Sequence, residues 1–325
     1  MKSFTAGQRG FAHLAQLGQQ WGRQGLAALS VAALATLSAC GGGTSQIEPF
    51  APTRIITFGD ESSLIKPDGR KYTVNAVNSV TGAIDCAANP IWVQYLANQF
   101  GLVFSECNPS QIAVTSGLMY ATAGGNVASF QAALDTHFAT GGFGPKDLVT
   151  VMVGANDIIE LYQQYPAQSQ AALLNEVRVR ARALAAQVNR IANANGRVVL
   201  ATVIDQGTTP YALEESKLDS GRAAFLTQLT SEFNLEMRVN IRNDGRLIGL
   251  VLADERIQIM TKYPSGEVTK PACLNTVSVD NCTTNTLIAD SSASTWLWAN
   301  DRLLTFQGHD VIGQAARRTA TTNPF

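Results

Sequence analysis

The sequence predicts an α/β protein built on a parallel sheet with helices on both faces. Two observations carry this. Short apolar β-runs alternate along the chain with long amphipathic segments, the pattern of repeated β-α-β units. The runs Arg54–Phe58, Asp147–Val153 and Arg197–Val203 all stop in turn-forming residues, at Gly59-Asp60, Gly154-Ala155-Asn156-Asp157 and Asp205-Gln206-Gly207. Right-handed crossovers then bring those three loops to one edge of the sheet.

Taken in order, Arg54–Phe58 is the first strand. Residues 64–88 are polar, with a turn at Lys66-Pro67-Asp68-Gly69, and are expected as a long surface loop. The segment Pro90–Gly101 opens with Pro and closes with Gly, and Trp92, Tyr95, Leu96 and Phe100 share one helical face. A small-residue turn at Tyr120–Asn126 precedes a helix over Val127–Ala139. After the strand Asp147–Val153 comes the longest amphipathic helix, 168–194, ended by Asn195-Gly196. The strand Arg197–Val203 leads to a second long helix, 219–242, stopped at Asn243-Asp244-Gly245. Arg246–Leu252 is the last clear strand, 263–292 a Cys-, Thr- and Asn-rich loop, and Gln307–Thr319 a terminal helix. No internal repeat or low-complexity tract is present.

The 325 residues are 46% hydrophobic and 15% charged, enough for one large core. The first part of the chain reads as an address: Lys2, Arg9 and Arg23 are its only charges before Cys40, and Leu26–Leu37 is an apolar run too short to span a bilayer. Taking those three from 24 basic residues, against 25 acidic, leaves a formal charge of −4. That balance gives no basic face for nucleic acid. Leu37-Ser38-Ala39-Cys40 followed by Gly41-Gly42-Gly43 resembles a bacterial lipoprotein processing site. The resemblance implies a signal peptide over 1–39, lipidation of Cys40 and a membrane partner. A flexible tether would span 40–52 and a single domain 53–325. The lack of Asp at position 41 points to an outer-membrane lipoprotein of the cell envelope. Four cysteines remain, an even count suited to disulfides in an exported protein. The local pairing, Cys86–Cys107 and Cys273–Cys282, is favoured over the other two pairings and over a zinc site, since no close C-x-x-C is present.

The stretch Ile55-Ile56-Thr57-Phe58-Gly59-Asp60-Glu61-Ser62-Ser63 resembles the block that names the GDSL esterases and lipases, the SGNH hydrolases. Gly124-Gly125 is similar to that family's glycine block, Gly154-Ala155-Asn156-Asp157 to its Gly-x-Asn-Asp block, and Asn300-Asp301 stands where its Asp-x-x-His lies. Further similarity over Trp92–Gly101, Val203–Ala212 and Phe233-Asn234 extends the resemblance over roughly residues 54–320. It implies a three-layer α/β/α sandwich with a flavodoxin-like five-stranded sheet and no cofactor. It also implies Gly124 and Asn156 as oxyanion donors and Asp301 as the group that orients the base.

Two positions depart from the family. The nucleophile position holds Glu61, whose attack on an ester would give a mixed anhydride and whose charge repels a developing oxyanion. Three residues after Asp301 stands Leu304, which cannot move a proton. The mature chain has two histidines. His137 is expected as a surface or packing residue, and His309 lies five residues past Leu304, roughly 7–8 Å along a helix. The expectation is a non-catalytic protein that binds an acyl, lipid or glycan ligand. The alternative is an ester hydrolase using Ser62 or Ser63 with His309 and Asp301. A weaker third reading has Glu61 act as general base on water.

Overall fold

A computed structural model describes residues 48–325. Cys40, the signal segment 1–39 and most of the tether lie outside the described residues. Residues 49–325 form one compact unit, and every member of its hydrophobic cores and both disulfides lie within it. Packing begins earlier than expected. Phe50 lies 6.3 Å from Phe100 and 5.5 Å from Phe325, ring centre to ring centre, and Pro52 is buried.

The strands are β1 (Arg54–Gly59), β2 (Ala76–Val77), β3 (Ile84–Asp85), β4 (Gly117–Met119), β5 (Asp147–Met152), β6 (Arg197–Ala201), β7 (Ile248–Val251), β8 (Glu267–Pro271) and β9 (Trp296–Trp298). The helices are α1 (Trp92–Gln99), α2 (Val127–Ala139), α3 (Ala155–Tyr162), α4 (Gln170–Asn193), α5 (Pro210–Glu215), α6 (Arg222–Asn240), α7 (Ala253–Lys262) and α8 (Phe306–Thr322). Strands β4-β1-β5-β6-β7 form one parallel sheet, the flavodoxin-like order expected. β1 and β5 are buried along almost their whole length, as central strands covered on both faces must be. One core packs α2, α3, α4 and α6 on one face, around Phe58, Val151, Leu184 and Phe233. The other packs α1, α7 and α8 on the opposite face, around Ile55, Trp92, Trp298 and Ile312.

Helix α2 matches its expected limits because Asn126 caps it, accepting from Ser129 N–H while Ser129 Oγ accepts from Asn126 N–H. Helices α4 and α6 come out shorter than 168–194 and 219–242, and the terminal helix starts one residue earlier and runs three longer. Three expectations change more. The short edge strand β4 and the helix α7 were not foreseen. The loop after α7 contains β8 and β9, paired with each other in parallel. Residues 64–88 are a surface loop only in part: 78–83 are exposed, whereas the stretch before them is anchored in the interior. Ile65, Lys71, Thr73, Val74 and Asn75 are fully buried, and β2 and β3 form a small hairpin. The segment is polar because its polar groups are satisfied internally. Lys71 Nζ donates to the carbonyls of Cys86, Ala88 and Asn89 at 2.9, 2.8 and 2.9 Å. The expected disulfides Cys86–Cys107 and Cys273–Cys282 are present, the first beside this lysine cage.

Candidate functional site

The site lies at the carboxyl edge of the sheet, where β1 and β5 end and the Gly124 turn follows β4. β1 ends at Gly59 with φ 151°, and a Cβ there would lie 2.3 Å from the Met152 carbonyl oxygen. Only glycine lets β1 stop this close to β5. Asp60 then caps a single 3₁₀ turn, Glu61–Ser63, by accepting from Ser62 N–H at 2.9 Å. The turn sends Glu61 toward the sheet edge, where it is 8% exposed.

Two other loops converge on that carboxylate. Gly124, at φ 69°, donates its N–H to Glu61 Oε2 at 2.8 Å. Asn156, in the first turn of α3, donates its amide to the same oxygen at 3.0 Å and to the Gly125 carbonyl at 3.0 Å. The two expected oxyanion donors are therefore brought together, and both are engaged by Glu61. Charge-assisted bonds of this kind are stronger than neutral ones. The neighbouring Asp60 is buried. Burial first, and the Glu61 charge second, push its carboxyl up to about 8.

Asp157, the last residue of the Gly-x-Asn-Asp block, faces away from Glu61. It accepts from Val127 N–H at 3.0 Å and from Arg180 at 3.3 Å, tying α2 to α3 and α4. Burial raises its carboxyl to about 6, against the pull of those donors.

The residues of the displaced dyad are not assembled. Ser63 is fully buried and its Oγ accepts from Trp92 Nε1 at 3.0 Å. Ser62 is partly exposed and lines the site cavity. His309 sits in the first turn of α8, 1% exposed, with Nδ1 unpartnered. Burial, and then the Lys71 charge, lower its pKa to about 3, so the ring is neutral. No hydrogen bond joins it to Ser62, Ser63 or Asp301 among the described residues. Asp301 is exposed, and its contact is through the backbone, whose carbonyl accepts from Tyr211 N–H. His137 is a packing residue, buried among Phe58, Tyr120 and Phe143.

Of the two leucines that follow Asp301, Leu304 does not face the cavity. Leu304 is 2% exposed and belongs to the core with Trp298 and Ile312. Leu303 and Arg302 instead line the cavity beside Asp60, Glu61 and Ser62. Asn300 Oδ1 turns them toward it by accepting from Arg302 N–H at 3.0 Å and Leu303 N–H at 2.7 Å. The leucine that lines the cavity along with Glu61 is Leu303, which has no more proton-transfer capacity than Leu304. Sequence reasoning passed over Arg302 and Leu303. The Asn300 turn signal and the Thr305 cap of α8 were the clues that could have fixed the register. The cavity itself encloses about 10 Å³, scarcely room for one water.

Residues 56–263 match the model of the GDSL-like lipase/acylhydrolase family. That span holds Glu61, Gly124 and Asn156 and ends before Asn300. No curated protein matches the chain. Similar solved structures include an acetylxylan esterase, Axe2, from Geobacillus stearothermophilus (13% identity, 85% of this chain and 98% of that one, TM-score 0.42). A lipolytic G-D-S-L family protein from Veillonella parvula is 12% identical over 81% of this chain and 95% of that one, TM-score 0.40. LAE5, an α/β hydrolase from the metagenome of Lake Arreo, is 16% identical over 83% and 95%, TM-score 0.43.

Proposed function

The chain belongs to the GDSL-like lipase/acylhydrolase family, and we propose that this member does not hydrolyse esters. It acts as a non-catalytic binding protein on an exported, lipid-anchored scaffold. The observation that supports this reading most directly is the double hydrogen bond from Gly124 and Asn156 to Glu61 Oε2. An ester carbonyl needs those donors at the moment its oxygen becomes negative. Here the Glu61 carboxylate already holds them, at the place where the oxyanion would form. Leu303, which lines the same cavity, supplies no base.

A ligand would take the site by presenting a carbonyl or carboxylate oxygen to the same donors once Glu61 swings aside. Small acyl, lipid or glycan compounds fit that description. The Leu26–Leu37 run and the Ala39-Cys40 junction support export and lipidation at Cys40, with the outer membrane as destination.

The test is turnover of short and long acyl esters, with fluorophosphonate labelling in parallel. Neither turnover nor label is expected. Turnover that vanishes in Ser62→Ala would overturn the proposal. Export and anchoring are tested separately by fractionating cells: the protein is expected in the outer membrane, and Cys40→Ser should release it.

A further inference from the structure

Among the described residues there are 15 arginines, and nine hold a carboxylate. Of the remaining six, three line one groove. Arg256 on α7 and Arg317 and Arg318 on α8 border an open cavity of about 630 Å³, completed by Gln99, Gln314 and Thr321. All three arginines are exposed. The groove continues past Gln99, Gln314 and Arg317 into a second cavity of about 460 Å³. Asp310, a carboxylate bonded to two residues that line this second part, accepts from Tyr95 Oη at 2.6 Å and from Gln314. Three guanidiniums without counter-charges stand together in a chain whose net charge is negative. Guanidinium forks fit phosphate oxygens in pairs.

The groove also has a defined place relative to the chain's entry point. Gln99 on its wall precedes Phe100, and Phe100 packs against Phe50, where the chain enters the compact unit. Phe325 closes the same cluster from the other side, a few residues beyond Arg318. Cys40 is ten residues before Phe50, a reach of at most about 35 Å. A lipid at Cys40 would therefore hold this end of the domain at the membrane.

We propose that the groove lined by Arg256, Arg317 and Arg318 docks on the phosphate headgroups of an anionic phospholipid surface. The orientation rests on the lipid-anchored reading of Cys40, while the docking itself does not need the anchor. Clustered arginines beside a membrane gain affinity from each charge, and salt weakens it.

The experiment uses residues 49–325, the self-contained unit, which lacks any anchor. Co-sedimentation is measured with vesicles of phosphatidylcholine alone and with about one third phosphatidylglycerol. Binding to the anionic vesicles alone is expected, fading at high salt. Arg317→Glu with Arg318→Glu should weaken it at least ~10-fold at unchanged thermal stability. Arg256→Gln should act in the same direction and more mildly. Equal binding by the charge-reversed protein, or no binding to anionic vesicles, would overturn the proposal. So would displacement from the vesicles by millimolar inorganic phosphate at constant ionic strength, since the groove would then be a small-anion pocket.

Discussion

The Asn156 side-chain amide donates to the Glu61 carboxylate across 3.0 Å, bridging the ends of β5 and β1. With the Gly124 N–H on the same oxygen, it makes Glu61 a structural member of the site as well as its plug. Removing the carboxylate takes the acceptor from two donors, the exposed Gly124 N–H and the half-buried Asn156 amide. Glu61→Ala is expected to cost about 2–3 kcal/mol, the usual scale for lost hydrogen bonds to a charged group. Relief of the repulsion with Asp60 offsets part of that. Glu61→Gln, which keeps an oxygen for the donors, should cost less. Denaturant midpoints at pH 7 separate the two, and an equal cost would mean that the two bonds do not stabilise the fold.

On the proposed non-catalytic reading, introducing ester hydrolysis should need two changes and one particular register. Glu61→Ser with Leu303→His is expected to take a fluorophosphonate label at position 61 and to hydrolyse short acyl esters slowly. Glu61→Ser with Leu304→His should do neither. It places an imidazole in the core beside Trp298, where burial disfavours its charged form and the cavity is out of reach. Intact-protein mass spectrometry after labelling reads the difference directly.

His309 gives the pH dependence a definite sign. Its folded pKa is depressed to about 3, whereas an unfolded histidine titrates near 6.5. Above pH 6.5 both states are neutral and the residue adds no slope. Below that the unfolded chain binds a proton that the folded one refuses, so stability falls on acidification down to about pH 3. The slope approaches ~1.4 kcal/mol per pH unit. Asp60 acts oppositely: with its folded pKa raised to about 8, it lowers stability as pH rises from about 4 to 8. Subtracting the stability curve of His309→Leu from that of the wild type isolates the histidine. A flat difference between pH 3 and 6.5 would contradict its assignment as a buried neutral ring.

The Lys71 cage and the nearby disulfide should fail together. Lys71→Met keeps the volume but leaves three carbonyls, those of Cys86, Ala88 and Asn89, without their donor. A loss of roughly 2–4 kcal/mol is expected. Hydrogen exchange should quicken in residues 86–94 before the central sheet is affected. Replacing Cys86 and Cys107 with alanine opens a link between residues 21 apart, at a cost of about 3 kcal/mol. The two effects should add to less than their sum, because both hold the same short segment.

Much of this architecture was legible in the residues. β5 and β6 are apolar runs that only a doubly covered strand tolerates, and Asn126 announces α2 by its capping side chain. What escaped did so for physical reasons. β4 is three residues long and gains its pairing from β1 rather than from its own propensity. Residues 64–88 look solvated because Lys71 and Asn75 are polar, yet both spend that polarity on buried backbone. Asn75 donates to the carbonyls of Lys71, Thr73 and Cys282. In the candidate site, Glu61, Gly124 and Asn156 are brought together as their motifs imply. The run Arg302-Leu303-Leu304-Thr305 contains two adjacent leucines, and nothing in their side chains says which one faces the cavity. That is settled by the Asn300 turn.

The glycine at the start of α3 has a wider implication. A Cβ on Gly154 would stand 2.4 Å from the Phe233 ring, and Asp157 three residues later fastens α2 to α4. Both serve the assembly of the domain, whatever happens at Glu61. A lineage that abandoned ester chemistry would still be obliged to keep them, because their loss would harm folding before it harmed anything else. The signature by which such proteins are gathered into one family can therefore outlive the reaction it is named for, maintained as scaffolding after its first purpose has gone.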